Sequence, residues 1–265
     1  MGLEQTSTLD TKRTSSMGYR SQMVSFQSPR GASAHVSCSM CNMRQTCLPV
    51  GLANEELDRL SNLIAVRRRI KKGAALYREG ESFTSLYAVR TGVLKTVMHA
   101  ADGHEQVTGF HMASDVIGLD GVDRHQHTSS AIALEDSEVC VVPFGQLEDL
   151  SHDLPVFQRQ IYRLMSREIV REHNAMLLLG GLRADARLAA FLLDLVQRMT
   201  RRGYSGQQLV LRMTREEIGS YLGLKLETVS RMFSKFVEDG LIQVKLRDVR
   251  ILKPEALEAI LHSHH

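Results

Sequence analysis

The chain has no apolar run near the roughly 18–20 residues that cross a bilayer, so no membrane helix is expected. Its first residues are rich in Ser and Thr and lack an apolar core, so no secretory leader is expected either. There is no nucleophile elbow, no phosphate-binding glycine loop and no dinucleotide fingerprint, which argues against the common enzyme classes. No internal repeat is visible. Net charge is scarce, at a formal +3 for 265 residues. Cysteine is scarce too, with only four. Without an export signal the expected compartment is the reducing cytoplasm, where clustered thiols read as metal-binding or redox groups rather than disulfides.

What is present is unevenly placed. Cys38, Cys41 and Cys47 form a C-x2-C-x5-C cluster, and Cys140 stands alone 93 residues further on. The segment Arg183 to Lys253 holds 14 basic and 8 acidic residues, a net +6, whereas residues 1–182 are near neutral. That is a modest footprint for a polyanion partner, although a solvated face gives the same count. At 43% hydrophobic the chain can bury a substantial core, and its length suits two domains.

Four regions are expected. Residues 1–34 read as a disordered tail. Residues 35–153 carry the cysteine loop, a short helix capped by Asn54 and running to Ile64, and then short alternating strands. The strand runs are 75–77, 86–89, 93–97, 107–110, 130–134 and 139–142, punctuated by glycines, which suits an antiparallel β-roll or barrel. Residues 154–180 read as one long helix with Pro155 in its first turn. Tyr162, Met165, Ile169, Glu172, Met176 and Leu179 are spaced 3, 4, 3, 4, 3 along it, the pattern of a coiled-coil seam. A second stripe of Ile161, Leu164 and Leu178 faces elsewhere, and two stripes on one helix favour a dimer. Gly180-Gly181 should break the helix, and residues 181–265 form the last domain, opening with a helix from Asp185 to Arg202.

In that domain Thr214 and Glu217 have the spacing of a capping box. The short helix they start carries Ile218, Tyr221 and Leu222 inward. Gly219 permits close helix approach and Gly223 supplies the turn. The next helix, 226–239, turns Val229, Met232, Phe233 and Phe236 inward and presents Glu227, Thr228, Ser230 and Arg231 outward. A helix-turn-helix places such residues against base edges in the major groove, Arg on guanine and Glu on cytosine. Those four and the capping Thr214 are the candidate DNA contacts. Residues 241–244 and 249–252 read as a hairpin wing. The expected class is α+β: an N-terminal antiparallel β-roll, a long dimerisation helix and a C-terminal winged helix-turn-helix.

Thiolates are soft donors for zinc, copper(I) or iron–sulfur clusters. Three bunched cysteines with a distant fourth are less like the paired spacing of structural zinc and suit a four-cysteine iron–sulfur cluster, while zinc and no metal stay open. Arg44, inside the loop, is a candidate to offset thiolate charge. His35 is a possible substitute ligand, and the other histidines show no ligand spacing.

Together these residues resemble the fumarate and nitrate reduction regulators, the oxygen-sensing branch of the cAMP receptor protein superfamily. The resemblance spans about 38–255 and rests on Cys38-x2-Cys41-x5-Cys47, on Cys140 followed by Pro143-Phe144, and on Leu226-Glu227-Thr228-Val229-Ser230-Arg231. It implies a [4Fe-4S] cluster on Cys38, Cys41, Cys47 and Cys140, intact without oxygen and converted by oxygen to a [2Fe-2S] form. It implies a homodimer when the cluster is intact and its dissociation in air. It implies binding to double-stranded DNA at palindromes with TTGAT-type half-sites through Glu227, Ser230 and Arg231, and contact with RNA polymerase through the loop at Asp102-Gly103. Two departures stand out. Glu172 replaces an aspartate on the dimer helix, and Asn42 occupies a position that tunes oxygen reactivity. Two Glu172 carboxylates near a two-fold axis are expected to repel and so to oppose dimerisation. No cyclic nucleotide is expected, because the loop 118–130 lacks the Gly-Glu and Arg-Ser pairs that would hold its ribose and phosphate, and Leu226 replaces an Arg of the nucleotide-gated relatives. The alternative is a regulator of the same fold with a structural zinc site or a small-ligand effector and no oxygen response.

Overall fold

The computed structural model describes residues 37–64, 66–99, 103 and 105–262. The tail expected at 1–34, His35, Asp102, His104, His264 and His265 lie outside the described residues.

Short runs of β-branched and aromatic residues build eight strands: β1 Val66–Ile70, β2 Ala75–Tyr77, β3 Ser85–Thr91, β4 Val93–His99, β5 Glu105–Met112, β6 Val116–Ile117, β7 Ser130–Ala133 and β8 Ser137–Pro143. They pair antiparallel into two four-stranded sheets, ordered β1-β8-β3-β6 and β2-β7-β4-β5. Leu76, Val89, Leu94, Ala131 and Val139 fill part of the roll interior and are almost inaccessible. Each of the Leu and Val side chains among them contributes about 1.5–3 kcal/mol by leaving water. Strands β1 and β6 are not legible in the sequence. β1 reads Val-Arg-Arg-Arg-Ile because it is a sheet edge, where charge discourages further pairing.

Helix α1, Asn54–Leu63, seals one end with Leu57 and Leu60 fully buried. Its cap differs from expectation. Asn54 is the first helical residue, Ala53 is the N-cap, and the Ala53 N–H donates to Glu56 Oε2 at 2.7 Å. Helices α2 (Phe144–Asp153), α3 (Pro155–Gly181) and α4 (Ala184–Arg201) follow. Gly180 and Gly181 form the last two residues of α3, which ends there with Leu182 as its C-cap, one residue beyond the expected boundary. Glycine costs about 1 kcal/mol in a helix but does not forbid it. The end is held by Arg187, whose guanidinium donates to the carbonyls of Leu179 and Leu182, both at 2.8 Å.

The last domain comprises β9 (Gln208–Val210), α5 (Arg215–Leu222), α6 (Leu226–Glu238), β10 (Ile242–Lys245), β11 (Asp248–Ile251) and α7 (Pro254–His262). The expected wing is β10–β11, with β9 added to its far edge. Leu188, Leu192, Ile218, Val229, Phe236, Val249 and Leu257 form its core. That core continues into the roll through Val107 and Phe110, and Phe110 lies against Tyr221 at 5.3 Å between ring centroids. Among the described residues no helix is long and apolar enough to cross a membrane.

Candidate functional site

Cys38 opens a 3-10 turn, Cys38–Met40, capped by the Ser37 hydroxyl. Its N–H donates to Ser61 Oγ on α1 at 2.9 Å, which anchors the loop to the roll. Successive turns then bring Cys41 and Cys47 round: Arg44 N donates to Cys41 O at 3.0 Å, and Cys47 N to Met43 O at 2.9 Å. Leu48 and Pro49 leave the loop buried. Cys140 arrives from β8, opposite Ala88 on β3 and Arg67 on β1.

The four thiols sense one another. Burial pushes the Cys47 thiol up to about 12, and Cys140, Cys38 and Cys41 all add to the rise. Burial raises Cys140 to about 11, opposed by the charge of Arg67, and it raises Cys38 as well. A site of this kind favours neutral thiols until a soft cationic centre binds and draws off the protons. Cys38, Cys47 and Cys140 pack in one cluster, partly shielded from water, and with Cys41 they match an iron–sulfur cluster in donor type and number. Among the described residues no group of three or more Cys, His, Asp or Glu is arranged around a single metal ion.

The positive charge near these thiols comes from outside the cysteine loop. Arg44 turns away toward Asn54 Oδ1 at 3.5 Å. Arg67 and Arg90 supply the charge instead, both opposing the rise at Cys140. They share Glu138, at 3.5 Å from Arg67 Nε and 3.0 Å from Arg90 Nη1. They also line a cavity of about 600 Å³ with Cys41, Asn42 and Tyr204. Arg67 is hidden in the sequence because its neighbour Cys140 is reached only by strand pairing.

A polar chain joins the cysteine loop to the last domain. Thr46 Oγ1 lies 2.6 Å from Ser114 Oγ, and Ser114 Oγ lies 3.1 Å from Met43 Sδ. Ser114 adopts a left-handed φ of 77°, unusual outside glycine. The next residue, Asp115, accepts from Arg198 at 2.6 Å and Arg202 at 2.5 Å, both on or just after α4. Burial alone would raise its pKa, but the two guanidiniums hold it at about 2. On the other side His111, buried, bonds Thr96 Oγ1 at 3.0 Å and Arg171 of α3 at 3.3 Å. Burial and Arg171 keep its ring neutral, far below the usual histidine range.

In the reader segment, Thr214 Oγ1 accepts from Glu217 N at 3.1 Å and Glu217 Oε2 accepts from Thr214 N at 2.7 Å, completing the capping box. Gly223 closes α5 with a left-handed φ of 62°, and a Cβ on Gly219 would lie 2.6 Å from Leu224 O, so only glycine fits there. Val229, Phe233 and Phe236 are buried and Met232 is half-buried. Glu227, Ser230 and Arg231 are exposed along α6, Thr228 is half-buried and Thr214 is exposed at the end of α5. Arg215, not expected from the sequence, stacks on Phe233 with its guanidinium carbon 3.2 Å from the ring centroid, which ties α5 to α6.

On α3 the seam is open. Tyr162, Met165, Ile169, Met176 and Leu179 are 41–65% exposed in the single chain, and Glu172 is exposed among them. The second stripe is packed in part: Ile161 and Leu164 lie against the core that includes Phe157 and Leu150, while Leu178 is half-buried outside it.

Comparison with known proteins agrees with this architecture. Residues 67–153 match the model of the cyclic nucleotide-binding domain, and residues 186–260 match the Crp-like helix-turn-helix domain. The chain is 46% identical over 224 residues to the transcriptional regulatory protein Btr of Bordetella pertussis, covering 84% of this chain and 93% of that protein. It is 46% identical over 215 residues to the transcriptional activator protein Anr of Pseudomonas aeruginosa, covering 81% and 88%. It is 43% identical over 222 residues to the fumarate and nitrate reduction regulatory protein of Yersinia pestis, covering 84% and 89%. Among solved structures, FixK2 of Bradyrhizobium japonicum matches with a TM-score of 0.68 at 30% identity, covering 74% of this chain and 96% of that one. With roll, long helix and reader all matched, the chain belongs to the Crp/FNR family of DNA-binding transcription regulators.

Proposed function

We propose that the chain is an oxygen-responsive transcription regulator of the cytoplasm, whose Cys38, Cys41, Cys47 and Cys140 hold a [4Fe-4S] cluster. What supports this is a Cys38-x2-Cys41-x5-Cys47 loop whose Cys38 and Cys47 share a packed cluster with Cys140, 93 residues on, in a chain with a Crp-like reader. The names of its relatives support it, among them a fumarate and nitrate reduction regulatory protein and the activator Anr. The bound cluster supplies an oxygen-labile centre. The chain's residues do the rest. Ser61 fixes the position of Cys38, and Arg67 and Arg90 offset the negative charge of the ligand set. The loop is tied to the body of the protein through Thr46 and Ser114, so its shape bears on the α4 anchor at Asp115. The exposed seam of α3 pairs with a second copy, which places two α6 helices on the half-sites of a palindrome. Glu227, Ser230 and Arg231 read TTGAT-type half-sites. RNA polymerase is the further partner, met through the roll. Cyclic nucleotide is not an effector.

The test is the visible spectrum and the iron and sulfide content of protein purified without oxygen. A brown protein with near four irons per chain that bleaches in air supports the proposal. A colourless protein carrying zinc defeats it and favours a structural metal with no oxygen response.

A further inference from the structure

The loop between β6 and β7 contains a built anion cradle. Asp120 Oδ2 accepts three hydrogen bonds at once: from Thr128 N at 2.9 Å, Ser129 N at 3.0 Å and Ser129 Oγ at 2.9 Å. Its other oxygen lies 3.3 Å from His127 Nδ1. Two consecutive backbone N–H groups and a hydroxyl aimed at one oxygen are what a protein offers a phosphate. Here they are offered to the chain's own carboxylate.

The surroundings are closed in the same way. His127 is 3% exposed, stacks on Tyr77 at 3.7 Å between ring centroids, and meets Phe83 edge-on at 5.6 Å. Backbone bonds pin the far arm of the loop to the strand connection before β3, His127 N to Glu81 O at 2.9 Å and Phe83 N to His125 O at 2.9 Å. The Tyr77 hydroxyl is buried beside Asp120 and Ser129 yet makes no hydrogen bond of good geometry.

We propose that this cradle, inside the segment that matches a cyclic nucleotide-binding domain, is a self-liganded oxyanion site: the Asp120 carboxylate takes the place of a ligand phosphate and holds the roll closed without any nucleotide. The roll then needs no small-molecule effector. This goes beyond the cysteine site and does not depend on what that site holds, so it is tested on cluster-free full-length protein.

Asp120→Ala removes the internal anion and leaves the donors. The variant is expected to melt roughly 4–10 °C below the parent, the size that follows from losing several charge-assisted hydrogen bonds in a chain of this length. Inorganic phosphate or formate, titrated at constant ionic strength against chloride, should return the melting temperature of the variant while leaving the parent unmoved. Amide exchange in the ligand-free parent should show Thr128 and Ser129 protected, and cyclic AMP should give neither heat nor stabilisation with the parent. An unchanged melting temperature for Asp120→Ala, or one lowered but equally indifferent to phosphate, formate and chloride, overturns the proposal. So does fast exchange at Thr128 and Ser129 in the parent, or cyclic AMP binding that stabilises it. The last two measurements use the parent alone and decide the matter even if Asp120→Ala does not fold.

Discussion

Asp115→Asn tests the joint between roll and reader. Asp115 is 17% exposed, and the guanidiniums it holds, on Arg198 and Arg202, are 12% and 7% exposed. The pair geometry places the Asp115 pKa at about 2 instead of 3.8. At 1.36 kcal/mol per pH unit this stabilises the folded chain by about 2 kcal/mol. The folded pKa lies below the unfolded one, so the contribution is whole above roughly pH 4–5 and is lost as pH falls through 2. Substitution costs at least this much, because Asn leaves two buried cations facing a neutral amide, and unpairing a buried charge costs about 3–5 kcal/mol. Arg198 keeps the Phe110 carbonyl and Arg202 keeps that of Ala113, so the lower end applies. We expect about 3 kcal/mol at pH 7, measured by urea unfolding of cluster-free protein. The gap between parent and variant should close as pH falls from 4 toward 2, when the parent's own carboxyl protonates. A gap under about 1 kcal/mol at pH 7, or one that stays constant across this range, refutes the reasoning.

Thr46→Val combined with Asp115→Asn should be non-additive by about 0.5 kcal/mol or more if the Thr46–Ser114–Asp115 chain couples loop to reader; a double-mutant cycle that sums to within about 0.3 kcal/mol excludes the coupling. Cys140→Ser should lose cluster iron and sulfide, because an alkoxide is a poor soft ligand; parental iron content would assign the fourth ligand elsewhere. Arg231→Ala should weaken binding by about 1–3 kcal/mol and level the preference at one guanine of the half-site, read by competition with a substituted palindrome; an undiminished preference removes Arg231 from base readout. Glu172→Ala should shift cluster-free protein in air toward dimer. The carboxylate is exposed in the single chain, so the effect is at most about 1 kcal/mol, or fivefold in the dimer dissociation constant. Sedimentation indistinguishable from the parent would rule out charge repulsion there.

Much of this molecule is determined locally. Alternation of apolar and polar residues places the inner strands of the roll, since period 2 sends alternate side chains to one face. The capping box at Thr214, the close approach at Gly219 and the left-handed Gly223 specify α5, turn and α6 within ten residues, so the reader is legible from residue order alone. The 3-4 spacing on α3 likewise announces two faces, and the fold leaves one open and packs the other at Ile161 and Leu164. The long-range contacts are not legible in this way. β1 carries no strand signal of its own, because an edge strand needs only one apolar face and tolerates arginine on the other. Gly180-Gly181 reads as a break and α3 does end there, but the Arg187 contacts to Leu179 and Leu182 that hold this end are not legible. Arg44 is the arginine nearest the cysteines in sequence, whereas Arg67 and Arg90 are the ones that strand pairing brings beside Cys140. The Asp115 anchor and the Asp120 cradle are invisible in the sequence for the same reason. Each joins groups from different turns or domains, and a hydrogen bond depends on distance in space, which sequence spacing encodes only within one helix, strand or turn.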